Sequence, residues 1–131
     1  MNKHYSRILC IDGDGAVLMH MGAMAVLGSN NPSNLIRIVI NYGAHETVGG
    51  MPTVAANIDL VKIALACGYP NAVSVDNFDD LDSELIKAKD SGKLSLIEVK
   101  CSIGAREDLG RPTTTALENK EYFMKYLKKL S

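Results

Sequence analysis

The chain has 131 residues, 47% of them apolar, with 14 basic against 15 acidic side chains and a net charge of -1. A chain of this kind makes one globular domain over residues 1–131, burying about two thirds of the surface exposed when unfolded. Balanced charge and an aromatic content of 5% argue against nucleic acid as a partner, and no apolar run is long enough to cross a bilayer.

Ile8 to Ile11 is a short apolar run ending at Asp12 and Gly13, and reads as a strand. Ala16 to Leu27 then places Val17, Leu18, Met21, Met24, Ala25 and Leu27 at helical spacing, with Gly28 as the stop. Leu35 to Ile40, Leu-Ile-Arg-Ile-Val-Ile, is a second apolar run, suited to a strand buried on both faces and ending at Asn41. The alternation continues with a helix over Ile58 to Cys67, stopped by Gly68, and a strand over Ala72 to Val75. A helix capped by Asp79 and Asp80 runs to about Lys89, followed by a strand over Leu94 to Val99. An amphipathic helix over Glu118 to Leu130 closes the chain, its packed side formed by Tyr122, Phe123, Tyr126, Leu127 and Leu130. Strands alternating with helices predict an α/β fold of three layers, a mainly parallel sheet with helices on both faces.

Cys10, Cys67 and Cys101 are odd in number and widely spaced, without a zinc or redox pattern. They read as buried free thiols in a reducing compartment, hence the cytoplasm. Met19, Met21 and Met24 read as helix packing, and His20 as an ordinary helix residue.

Asp14, flanked by Gly13 and Gly15, ends the first strand, and Asn41, 27 positions on, ends the second and leads into Gly43. Gly-Asp pairs also mark simple turns. Here, however, a carboxylate, an amide and a backbone carbonyl at adjacent strand ends would surround one hard divalent cation, with magnesium bound to a diphosphate as the natural occupant. Two loops after predicted strands carry further candidates: Gly43 to Asn57, with His45, Glu46, Gly49, Gly50, Pro52 and Thr53, and Ser102 to Ala116, with Arg106 and Arg111. Ligands of open α/β sheets bind at that carboxyl edge. The calcium-loop, dinucleotide and P-loop patterns are all incomplete around Asp12 to Leu18.

The Gly13-Asp14-Gly15 run and its spacing to Asn41-Tyr42-Gly43 resemble the cofactor signature of the thiamine diphosphate enzymes, with Ile40 where the usual first asparagine stands. The stretches Asn41 to Thr53 and Gly104 to Thr114 are similar to those of the phosphonopyruvate decarboxylases, and the sulfopyruvate decarboxylases share the plan. The resemblance implies a thiamine diphosphate-binding fold, incomplete on its N-terminal side. It also implies conversion of 3-phosphonopyruvate to phosphonoacetaldehyde and carbon dioxide with thiamine diphosphate and magnesium.

On that resemblance Asp14, Asn41 and the Gly43 carbonyl hold the metal, and Gly13, Gly15 and Ala44 complete the cofactor cradle. His45 and Glu46 stand near the reacting end of the cofactor, and Arg106 and Arg111 are the candidates for an anionic group on a 2-keto acid. Either arginine would otherwise pair with Glu107 or Asp108, and His45 would only hold its loop. The pyrimidine-binding half of such enzymes has no counterpart in the chain, so it is expected to act with a further domain or partner subunit, in an oligomer, and to be inactive alone. Alternatives are a subunit acting on sulfopyruvate or another 2-keto acid, and a noncatalytic α/β binding module.

Overall fold

In a computed structural model, residues 7–104 and 106–130 are described, the last without its side chain. They fall into two compact units, residues 7–103 and the segment from Gly104 onward.

The first unit is built on four parallel strands, β1 (Ile8–Gly13), β2 (Leu35–Asn41), β5 (Asn71–Val75) and β6 (Ser95–Lys100), ordered β1-β2-β6-β5. All four runs expected to be strands are strands, and β2 and β6 are almost wholly buried, in keeping with their mainly apolar sequences. Helices α1 (Asp14–Met19), α2 (Gly22–Asn30) and α3 (Leu60–Ala66) cover one face, where Val17, Met24, Leu60 and Ala64 meet Leu35, Val39 and Leu96. Helix α4 (Phe78–Ser91) covers the other, packing Ala88 and Leu85 on Ile36, Ile38, Val75 and Ile97. That cover does not reach β1, where Leu9 and Ile11 are 57% and 66% exposed.

Several local expectations change. The helix over 16–27 is two helices, broken at His20 and Met21 just before Gly22, a poor helix former. The break turns Met24 fully inward and leaves Met19 exposed, so only part of the methionine group packs. Gly28 does not stop α2, which ends at Asn31 in the left-handed conformation. Gly28 instead lets α2 touch the end of α3: a Cβ there would lie 1.8 Å from the Cys67 carbonyl oxygen. Helix α4 is capped by Asn77, whose Oδ1 accepts from the Asp80 N–H at 2.9 Å, while Asp79 and Asp80 occupy its first turn. The thiols are free as expected, but Cys101 is exposed and Cys10 and Cys67 only partly covered.

The loop after β2 is more ordered than its composition suggests. It forms a two-stranded antiparallel ladder of β3 (Ala44–His45) and β4 (Met51–Pro52), with 3-10 turns over Glu46–Val48 and Val54–Asn57.

In the second unit, α5 (Ala116–Leu130) begins two residues earlier than its apolar pattern indicates. The Glu118 carboxylate accepts from the Thr115 N–H and hydroxyl at 2.7 and 2.8 Å, and the hydroxyl accepts from the Glu118 N–H at 3.2 Å. This reciprocal cap fixes the start. Tyr122, Phe123 and Tyr126 are exposed rather than packed and Leu127 is half-buried. The unit has no other helix among the described residues to meet that side, and the Leu130 side chain lies outside them. No helix among the described residues is long and apolar enough to cross a membrane.

Candidate cofactor site

Parallel pairing of β1 with β2 sets Gly13 beside Ile40, so Asp14 and Asn41 leave the same edge of the sheet on neighbouring strands. Asp14 starts α1 with no intervening loop and is fully buried. Its Oδ2 accepts from the Thr53 hydroxyl at 2.5 Å, while Oδ1, equally buried, has no hydrogen-bond partner among the described residues. A buried carboxylate oxygen without a donor is costly in free energy unless a cation or a donor arrives.

Asn41 is held at both ends of its amide. Nδ2 donates to Glu98 Oε1 at 2.6 Å, and Oδ1 accepts from the Gly43 N–H at 3.1 Å. Gly43 has φ +67°, a left-handed turn that favours glycine. Its carbonyl accepts from the Thr53 N–H at 2.9 Å, which engages one of the oxygen's two lone pairs. A hydrogen-bonded chain therefore runs from Glu98 through Asn41, Gly43 and Thr53 to Asp14, joining all three oxygen donors expected for a metal. The set is all oxygen, includes one anionic group and retains an unpartnered buried oxygen. It fits a hard divalent cation such as magnesium, with Asp14, Asn41 and the Gly43 carbonyl as its protein donors.

The remaining candidates lie in different settings. The His45 ring rests against the backbone of Gly15, where an added Cβ would come within 2.7 Å of Nδ1 and Cε1. Gly15 thus permits the imidazole to sit beside the first turn of α1. Ala44 is buried in β3, whereas Glu46 is exposed at the head of a 3-10 turn. A Cβ at Gly13 would stand 3.6 Å from the Tyr42 hydroxyl, an ordinary contact. Arg106 and Arg111 belong to the second unit and are both exposed; Arg106 Nε lies 3.1 Å from Asp108 Oδ1.

Two charged residues inside buried strands were not singled out by sequence reasoning, although a charge within an apolar strand requires a partner. Glu98 in Leu-Ile-Glu-Val holds Asn41. Arg37 in Leu-Ile-Arg-Ile donates from Nε and Nη2 to one oxygen of Asp12, both at 2.8 Å, tying β2 to β1 two residues before Asp14. Beside this pair, burial pushes the Cys10 thiol up, with Asp12 adding to the shift. Burial likewise raises the Tyr69 hydroxyl, opposed by neighbouring Arg37. Arg37 and Tyr69 interact electrostatically, while neither Arg37 Nη1 nor the Tyr69 hydroxyl meets a partner in ordinary hydrogen-bond geometry among the described residues. A cavity of about 870 Å³ opens beside the site, bordered by Asn41, Gly43, Ala55, Lys62, Glu98 and Lys100.

Residues 1–99 match the family described as "Thiamine pyrophosphate enzyme, C-terminal TPP binding domain". The chain is 35% identical over 111 residues to a phosphonopyruvate decarboxylase of Streptomyces viridochromogenes, covering 85% of this chain and 28% of that protein. It is 30% identical over 95 residues to the sulfopyruvate decarboxylase subunit beta of Methanocaldococcus jannaschii, covering 72% of this chain and 50% of that subunit. The chain thus spans half or less of these relatives. Its fold matches transketolase from Campylobacter jejuni with a TM-score of 0.59 at 22% identity, over 73% of this chain and 15% of that one. The sheet with helices on both faces is the thiamine diphosphate-binding fold, and the chain belongs to the thiamine pyrophosphate enzymes through their C-terminal cofactor-binding domain.

Proposed function

We propose that this chain is the diphosphate- and magnesium-binding part of a thiamine diphosphate-dependent decarboxylase that converts 3-phosphonopyruvate to phosphonoacetaldehyde and carbon dioxide. The observation that carries the reading is the fully buried Asp14, one oxygen unpartnered, at the same sheet edge as the Asn41 amide. The substrate assignment rests on similarity to the Streptomyces phosphonopyruvate decarboxylase. When bound, thiamine diphosphate supplies the electron sink for the bond broken as carbon dioxide leaves a 2-keto acid.

In this reading Asp14, Asn41 and the Gly43 carbonyl hold the magnesium that neutralises the diphosphate, while Gly13, Gly15 and Ala44 shape the cradle. His45, against Gly15, holds or moves a proton at its imidazole, and Glu46 is a second candidate for that work. Arg106 and Arg111 receive the phosphonate through paired guanidinium hydrogen bonds. A pyrimidine-binding domain or partner subunit closes the site, and the assembly also covers the apolar side chains of Leu9 and Ile11. The chain alone is inactive and binds the cofactor weakly.

Sulfopyruvate as substrate is the second reading, favoured by similarity to the methanogen beta subunit, of which the chain spans half. The deciding experiment completes the chain with its pyrimidine-binding counterpart and compares carbon dioxide release from phosphonopyruvate, sulfopyruvate and pyruvate. Phosphonopyruvate should lead, and preference for plain pyruvate removes the role of the arginines. In the same assembly Asp14→Ala should abolish magnesium-dependent cofactor binding while the fold survives. Unaltered binding would favour a noncatalytic module.

A further inference from the structure

Glu98 sits on β6, beside β2, and is 5% exposed. Registering opposite Val39, it lies on the same face as Asn41 two residues further along, and its Oε1 meets Asn41 Nδ2 at 2.6 Å. That contact and the Gly43 N–H specify the same orientation of the amide. A carboxylate oxygen accepts and a backbone N–H donates, so the NH2 group must face Glu98 and the oxygen must face Gly43. Were the amide turned over, two donors would oppose each other at Gly43 and two acceptors at Glu98. The NH2 group would also stand where the site requires an oxygen. Asn41 is only partly buried, so packing alone leaves its side chain room to move.

We propose that Glu98 is a positioning residue that fixes the Asn41 amide with its oxygen toward the cofactor metal. The inference rests on the cofactor reading given above, but its structural half can be tested in the free chain. Glu98 acts through a contact, not as a distant charge, and two substitutions separate these possibilities. Glu98→Gln removes the charge and keeps an acceptor of the same reach. Glu98→Asp keeps the charge and withdraws the acceptor by one methylene.

The test uses the full chain, labelled with nitrogen-15. Nuclear magnetic resonance follows the order of the Asn41 side-chain NH2 and the exchange rate of the Gly43 N–H in the free chain, and magnesium is then titrated at fixed thiamine diphosphate into the assembly completed with the pyrimidine-binding counterpart. Wild type and E98Q should show an ordered Asn41 NH2 and a slowly exchanging Gly43 N–H, with half-saturating magnesium within about twofold of each other. E98D should lose the order, and its magnesium requirement should rise by about tenfold, the scale expected for one hydrogen bond to a charged group. An Asn41 amide that stays ordered in E98D, or is lost equally in E98Q, overturns the role of Glu98. Should the completed wild-type assembly ignore magnesium and thiamine diphosphate altogether, the cofactor reading fails and the role toward the metal falls with it. The amide order would then show separately whether Glu98 holds Asn41.

Discussion

Thr53 and Asp14, 39 positions apart, are joined by one hydrogen bond, the hydroxyl donating at 2.5 Å to a carboxylate that is wholly buried. Thr53 also begins a 3-10 turn, its Oγ1 accepting from the Ala55 N–H at 3.3 Å, and its own N–H donates to the Gly43 carbonyl. One small residue thus braces two of the three proposed metal donors.

Replacing that hydroxyl by a methyl should therefore cost more than a surface change. Thr53→Val leaves Asp14 without a side-chain donor on either oxygen among the described residues and removes the cap. We expect a loss of about 1–3 kcal/mol in urea unfolding. Thr53→Ser, which keeps the hydroxyl, should stay within about 1 kcal/mol of wild type by the same measure.

Gly28→Ala tests a backbone contact. The added carbon would stand 1.8 Å from the Cys67 carbonyl oxygen, and neither partner is the flexible end of a side chain. Helices α2 and α3 must separate, at a cost of about 2–4 kcal/mol, and thermal unfolding should show the drop. Gly22→Ala, with open space around the new carbon, is the matched control.

The cap of α5 makes its stability depend on pH. The Thr115 N–H, and then its hydroxyl, holds Glu118 below the ordinary carboxylate value of 4.5. A lowered folded pKa means stability fully present above the unfolded value and lost as pH falls through the folded one. Carbon-13 titration of Glu118 should show a depressed midpoint, with fraying of the first turn of α5 at lower pH. Thr115→Ala, which removes the hydroxyl and keeps the N–H, should return Glu118 only part of the way to its ordinary midpoint.

What could be read in advance was local. The four strands announce themselves by short, mainly apolar runs, and the glycines around Asp14, with the spacing to Asn41, point to one edge of the sheet. The helix break at His20 was hidden because Val17, Met21 and Met24 keep helical spacing across it. Gly28 looked like a stop because its need is set by Cys67, on another element, and not by its own φ. Glu98 escaped for the same reason, and Thr53 stood out as a loop candidate without its tie to Asp14. Their partners lie 57 and 39 positions away, and only the assembled sheet and its ladder bring them together.

The in-register pairing of β1 and β2 divides the intervening chain into tolerant and intolerant lengths. Residues added to the polar stretch 31–34 would lengthen a connection and change the 27-residue spacing while leaving both strand ends in place. One residue inserted between Leu35 and Asn41 would invert every side chain beyond it, because strand faces alternate. Asn41 would then turn away from Glu98, and the apolar faces of β2 would exchange partners. Variation in the separation of the two proposed metal residues is therefore tolerated in the stretch 31–34 and ruinous within β2.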